Sequence, residues 1–530
     1  MRSMWKTCRT LTLALPFAAS LAAPPTAAQG SEPQLGAVDF KTSCNEVAQR
    51  RFNRAMRYQH SFWYRQAIEV FEEAAKADET CAMAQWGIAL SLLNNPHSAI
   101  PQSNLAPGLA AIEKAKAIGA KSERERDYIE ALSKMYIGHD KTTHQVRVQA
   151  YRDAMAALAS RYPQDDEAQI AYAIALNVSA SPADKTYAQQ LKGAGILEPM
   201  WKRLPQHPGV AHYLIHLYDY PPIAEKGLKA AVQYSKIAPA APHAQHMPSH
   251  IFTRVGYWKE SIASNMASVK AAKADKEAND QLHGTDYLVY AHLQLAQDKQ
   301  ALAFIEEMAK VEFKGDSAGG HFARAASPAR FAVERGDWKA AAALEPMPTK
   351  FAHVTAITHF ARALGAARSG DVLSGWVDAK RLMELRDRLT AAKDTYWAEQ
   401  VEIQFQVASA WLLHAEGKHD AALALLRSAA DAEDKTEKSP VTPGPLAPAR
   451  ELLGAMLLAR DKPAEALAAF EATLAKEPNR YRAYAGAVEA AQRSGNNAKA
   501  KTYAAKLLAM VGGGASDRPE LARARQLAAK

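Results

Sequence analysis

The polar and apolar positions of this chain repeat with helical periodicity, and a fixed grammar of small residues punctuates the repeats. Near the C-terminus Leu453, Gly454 and Leu457 fall on one helical stretch. Ala466 and Phe470 fall on the next, and Pro478 closes it. Two small residues facing each other let two helices approach closely, and the proline stops the second helix. Each unit has a turn, such as "RVGYWKES", "RGDWKAA" or "EGKHDAA", followed by a small residue near the start of a helix. These small residues fall at Gly227, Ser261, Ala301, Ala341, Gly375, Ala422, Ala466 and Ala500, in steps of 34, 40, 40, 34, 47, 44 and 34. An earlier unit, "SFWYRQAIEVFEEAAKADE", carries Ala67 and Phe71 at the same spacing, and "CAMAQWGIAL" opens the helix after it. Ser122 with Glu125 forms a capping-box pattern. Runs of alternating polarity rich in Val, Ile and Thr are lacking, so strands are not expected.

The pattern Leu-Gly-x2-Leu, Ala466-x3-Phe470, Pro478 resembles the tetratricopeptide repeat, with Leu457 where that family favours Tyr. Three of the seven steps equal the family's period of 34, and the others add 6 to 13 residues. The resemblance covers most of residues 44 to 510. It implies an all-α, right-handed superhelical solenoid of tetratricopeptide-type helical hairpins with a binding role.

Length and composition fit this reading. The chain has 530 residues, 48% hydrophobic and 23% charged, too long for one compact core unless the fold grows by repetition. Arg2, Lys6 and Arg9 precede an apolar stretch from Leu11 to Ala23, and small residues follow. Residues 1–28 therefore read as a cleavable signal peptide, which places the mature protein in the periplasm or outside the cell. Residues 29–433 read as the main helical array. Residues 434–450, with Pro440, Pro443, Pro445 and Pro448, read as a linker. Residues 451–530 read as a C-terminal repeat pair with a capping helix. No later segment is apolar enough to form an integral membrane span. The formal charge of +9 includes three positive residues of the signal, leaving about +6 (9 − 3), and basic residues do not cluster with aromatics. Nucleic acid is not an expected partner. Cys44 and Cys81 remain after the signal, an even number in an oxidising compartment, and are expected to pair.

The chemistry-bearing feature is a double spacing of histidines. His212 and His216 lie four apart in "HYLIH", and His246 and His250 lie four apart in "HMPSH". One period of 34 separates the two pairs. Four residues bring a helix back to nearly the same direction, so each pair shares a face. Helices in contact lie roughly 8–10 Å apart, a gap two imidazoles can bridge. Pro248 weakens the helix in the second pair by removing a backbone donor.

In tetratricopeptide proteins, the residues 15 and 11 before the small second-helix residue line the concave groove. By that resemblance His212, His216, His246, His250, Asp286 and Tyr290 trace the inner surface, with His243 and His283 three residues before two of them. The segment "HPGVAHYLIHLYDYPP…APHAQHMPSHIFTRVGYWKESIASN" further resembles exported bacterial tetratricopeptide-repeat proteins with a His-rich groove. Three readings stay open. In the first, His212, His216, His246 and His250 ligate a divalent transition metal such as zinc or copper. In the second, the same groove takes a protein, peptide or small molecule. In the third, the imidazoles only hydrogen-bond one another. Asp219 is either an orienting partner for a histidine or a turn residue before Pro221 and Pro222. Nucleophile elbow, phosphate-binding loop, dinucleotide fingerprint and C-x2-C are all missing. The leading expectation is a groove-binding scaffold without enzymatic activity, and the alternative is a metal-binding protein or metal-dependent hydrolase with Asp286 as its base. Ordinary imidazoles would release metal below about pH 6.

Overall fold

A computed structural model describes residues 32–315, 317–512 and 516–529. The expected signal peptide, residues 1–28, lies outside them. The described residues contain helices and no strand. Consecutive helices pack on one another from Glu46–His60 to Pro519–Ala528, giving an all-α helical-repeat solenoid. Residues 34–530 form one compact unit. Among the described residues no helix is long and apolar enough to cross a membrane.

Local chemistry sets the helix starts. Asn45, Thr143, Asp165, Asp337, Asp371 and Asn496 each accept a hydrogen bond from a first-turn amide, satisfying a donor that has no partner inside the helix. Ser122 caps Glu123–Ser133 in the same way. The reciprocal half of the expected capping box is diverted, because the Glu125 carboxylate accepts from the backbone N and Oγ of Ser43, both at 2.6 Å. The small residues of the repeat grammar are buried at the helix crossings, Ser261, Ala301, Ala341, Ala422, Ala466 and Ala500 all fully so. Gly454 shows why size matters there. A Cβ on it would lie 2.8 Å from Cζ of Phe470, the ring that locks the two helices together.

Cys44 and Cys81 are joined by a disulfide, with Cα atoms 4.9 Å apart. They sit at the starts of the helices Glu46–His60 and Ala82–Leu92. The same edge is tied by Asn45, whose backbone N donates to Asp78 at 2.7 Å and whose side chain donates to the carbonyl of Ala77 at 2.8 Å. The bridge closes a loop of 37 positions. Replacing both cysteines by serine should destabilise the first repeat by about 4 kcal/mol on the loop-entropy model. Hydrogen exchange of the amides in 46–92 reads this directly, and unchanged protection would contradict it.

The inner face of the array is filled by the chain itself. Residues 435–448 run as irregular backbone along it, held from many sides. Tyr287 donates to the carbonyls of Pro440 and Thr442 at 3.2 and 3.3 Å. Arg330 donates to the carbonyls of Gly444 and Pro445 at 2.9 and 3.1 Å. Lys185 and Tyr187 grip the Glu437 carboxylate at 2.7 and 2.8 Å. The four prolines of this stretch lack a donor, so it can lie against side chains without leaving buried N–H groups unpaired.

The C-terminal repeats then turn back on the middle of the array. Asn479 donates to the carbonyl of Gly256 at 3.2 Å, and Trp258 donates to the carbonyl of Asn479 at 2.8 Å. Gly256 has φ +71°, and a Cβ there would lie 2.3 Å from the carbonyl oxygen of Pro478, so only glycine fits this junction. Among the described residues, the stretch 435–448 and this junction lie against repeats whose inner face the sequence pattern assigns to a concave groove.

Candidate metal centre

The histidines reach one place from three consecutive repeats. His212 and His216 come from the helix Pro208–Tyr218. His243 and His246 come from Pro242–His246, and His250 from Pro248–Arg254. His283 comes from Ala278–Gln294. Pro248 does not break the second pair. It stands at the first position of its helix, where the missing N–H has no partner to lose, and Met247 before it keeps helical angles.

Two groups of three form. In the first, Nε2 of His212 lies 3.1 Å from Nε2 of His216 and 3.2 Å from Nε2 of His243. In the second, Nε2 of His246 lies 3.0 Å from Nε2 of His250, with His283 beside them. Within each group one nitrogen per ring lies within 4.8 Å of the others. The groups adjoin, with ring centroids 6.1 Å apart for His216 and His250 and for His243 and His246.

The outward nitrogens fix the tautomers. His212 Nδ1 donates to the carbonyl of His60 at 2.7 Å. His250 Nδ1 donates to Oδ2 of Asp219 at 2.9 Å. His246 Nδ1 donates to Oδ1 of Asn265 at 2.7 Å, and the Asn265 amide is oriented by its own donation to the carbonyl of Ser261 at 2.8 Å. Each of these three rings thus carries its proton on the outside and presents a bare lone pair inward. Asp219 is held in turn by Arg254, at 2.8 Å, and by Lys438, at 3.6 Å. Burial opposes its charge, but Lys438, Arg254 and His250 outweigh that and keep it well below the usual carboxylate range.

Burial keeps the imidazoles neutral. His212 is 0% exposed, and His216, His246 and His250 are 4%, 2% and 2% exposed. Loss of hydration, with mutual repulsion of the imidazolium forms, lowers His283 to about 3 and holds His216, His243 and His246 well below 6.5. His212 is lowered to about 3, also chiefly by burial. Aromatic walls complete the enclosure. Phe62 packs on His212, His216 and His243, and Tyr287 packs on His246, His250 and His283.

A third cluster nearby has another character. Glu167 accepts from Nε2 of His60 and Nε2 of His207, each at 3.0 Å, and His60 Nδ1 meets the Tyr213 hydroxyl at 3.0 Å. Here each of these contacts pairs a donor with an acceptor, and only Nδ1 of His207 is left without a hydrogen bond among the described residues. The role of the cluster is to fix His60, whose carbonyl orients His212.

The structure separates Asp286 and Tyr290 from the histidines. Asp286 accepts from Ser327 at 3.1 Å and pairs with Arg330 at 3.3 Å. The Tyr290 hydroxyl accepts from Arg480 at 3.0 Å. Both serve the junction with the returning chain, because that chain supplies polar groups the repeat pattern does not foresee. Of the eight residues expected to line a groove, the six histidines converge and these two do not. Residues missed from sequence are Phe62, Asn265 and His97, whose ring stacks on His216 at 4.2 Å. His97 lies in a turn outside the repeat register, so spacing gave no signal for it. Asp219 takes the orienting place that sequence left as one of two readings.

No family model matches the chain, and no curated protein matches it. Among solved structures, the chain is similar over 90% of its length to the APC/C hetero-tetramer Cut9-Hcn1, covering 96% of that chain at 10% identity and a TM-score of 0.30. It is similar over 91% of its length to yeast Tom70, covering 96% of that chain at 10% identity and a TM-score of 0.27. Scores this low carry no inference about function.

Proposed function

We propose that this is an exported metal-binding protein whose six histidines hold two transition-metal ions side by side, each in a three-imidazole site. One observation carries the reading: His246 and His250 bring Nε2 atoms to 3.0 Å while both Nδ1 protons are committed to oxygen acceptors. Two neutral imidazoles in these tautomers oppose lone pair to lone pair, and burial disfavours the proton that would relieve it. A cation between them converts the repulsion into ligation. The first group supports the same reading, because the single lone pair of His212 Nε2 can accept from only one of its two neighbours.

The donor set selects the ion. Neutral imidazole nitrogen suits copper and zinc, whereas magnesium and calcium demand oxygen. Three protein ligands leave a coordination position open, the arrangement of reactive rather than purely structural sites. A zinc hydrolase also needs a nearby base. Asp219 is occupied by His250, Arg254 and Lys438, and Asp286 by Arg330 and Ser327, which disfavours a hydrolase, and by the Irving–Williams order copper(II) should bind such a site more tightly than zinc. The scaffold reading is less favoured, since residues 435–448 lie where a peptide would bind.

The test is metal analysis of the protein after loading with micromolar copper(II) or zinc, followed by desalting. Two equivalents per chain are expected, with copper(II) displacing zinc. Retention of neither copper nor zinc would end the metal reading and return the histidines to a hydrogen-bonding role.

A further inference from the structure

One imidazole beside the centre belongs to neither group of three. His97 lies in the turn between the helices Ala82–Leu92 and Gln102–Ile118. Asn95 fixes that turn: its side-chain oxygen accepts from the backbone N of His97 at 3.0 Å, and its carbonyl accepts from the backbone N of Ser98 at 3.0 Å. The His97 ring lies on the ring of His216, with centroids 4.2 Å apart and planes 28° from parallel. The residue as a whole is half-buried, yet its Nε2 is fully covered and has no hydrogen bond among the described residues. Nor is it among the nitrogens that gather within 4.8 Å of one another in either group. Leaving such an atom unpaired is costly, and native proteins do so mainly where water or a ligand completes it.

The stack sets His97 one layer away from an ion held by His216. That ion has three protein ligands and an open position. A bound atom sits about 2 Å from the ion, and a hydrogen bond adds about 2.9 Å. Together these span the 4.2 Å between the stacked rings. We infer that His97 is a positioning residue that hydrogen-bonds the small exchangeable ligand on the open position of the first ion, whether water or a monovalent anion. Neutral imidazole has one donor and one acceptor, so the ring can serve either. The inference rests on the two-metal reading, and its test separates the two.

Azide is the probe. Protein loaded with copper(II) is titrated with azide, read by the azide-to-copper charge-transfer absorption and by the paramagnetic resonance of copper(II). Wild type should bind azide. His97→Phe keeps a ring to stack on His216 and lacks the nitrogen. It should hold two equivalents of copper and weaken the tighter azide step roughly ten- to hundredfold. His97→Gln supplies an amide that donates and accepts, and should restore most of that loss. A stacking role alone would give the opposite order, with His97→Phe closer to wild type. Equal azide affinity in wild type and a folded His97→Phe, or copper-loaded wild type that binds no azide, would overturn the inference and leave a buried water at Nε2. Loss of one copper equivalent in a folded His97→Phe would overturn it too, because His97 would then be a ligand. Protein that takes up neither copper nor zinc ends the metal reading and this inference with it, whereas two equivalents with unchanged azide affinity ends this inference alone.

Discussion

Replacing His216 and His250 together by alanine should reduce bound copper from two equivalents to none, and His250→Ala alone should leave about one. Each change removes one of three nitrogens from a different group, and a two-imidazole site with open coordination holds its ion far less tightly. Both rings are buried, so each alanine also opens a void and should lower stability by about 1–3 kcal/mol. Groove residues would have been replaceable without that penalty. Two equivalents retained by a folded double variant would refute the assignment of the ligands.

Acid should release the metal later than free imidazole would suggest. His212 and His283 are lowered to about 3, chiefly by burial, so protons compete weakly and retention should persist to about pH 5, below the ordinary imidazole value near 6.5. The metal-free protein should show the matching stability trend. Its folded-state pKa values lie below those of the unfolded chain, so below about pH 6.5 the unfolded chain binds more protons. Stability is then full above that pH and falls steadily as pH drops toward 3. Thermal melts of chelated and loaded protein between pH 7.5 and pH 5 read both effects; identical melts at the two pH values for chelated protein would contradict the burial of neutral imidazoles.

Arg480→Met should cost about 3–5 kcal/mol and release the C-terminal repeats first. Arg480 is 0% exposed and bonds Glu451 and Glu334, each at 2.6 Å, as well as the Tyr290 hydroxyl at 3.0 Å. Removing the cation leaves two buried carboxylates facing each other without a counter-charge, the costly way to break a buried pair. Glu334 belongs to the helix Ala318–Arg335 and Glu451 to Ala449–Ala459, so this arginine joins the array to the segment that returns on it. Early protease cleavage within 449–511 is the expected readout. Unchanged cleavage with a shift under about 1 kcal/mol would show that other contacts hold the closure.

The repeat grammar was legible because helix packing is local: a small residue every 34 positions or slightly more reports a crossing that recurs, and Ser261, Ala301 and Ala466 are indeed fully buried. The histidine pairs were legible for the same reason, since four residues and one repeat both map onto fixed displacements. Asp286 and Tyr290 obeyed the same register yet serve another network, because register places a residue on a face and does not choose its partner.

Sequence by itself determined the all-helical repeat fold, the shared faces of His212 with His216 and of His246 with His250, and the chemical types gathered there. Tertiary structure alone decided that residues 435–448 lie against Tyr287 and Arg330, that Tyr287 walls the second histidine group while Lys438 pairs with Asp219, and that His97 and Asn265 join the centre. It also decided which imidazole nitrogen faces inward, through the His60 carbonyl, Asn265 and Asp219. The first of these joins residues 152 positions apart, and the contacts of Lys438 and Tyr287 form only when residues 435–448 fold back into the array. Helical periodicity carries no record of such a return, because it depends on the shape of the whole solenoid and on buried charges that pair across it.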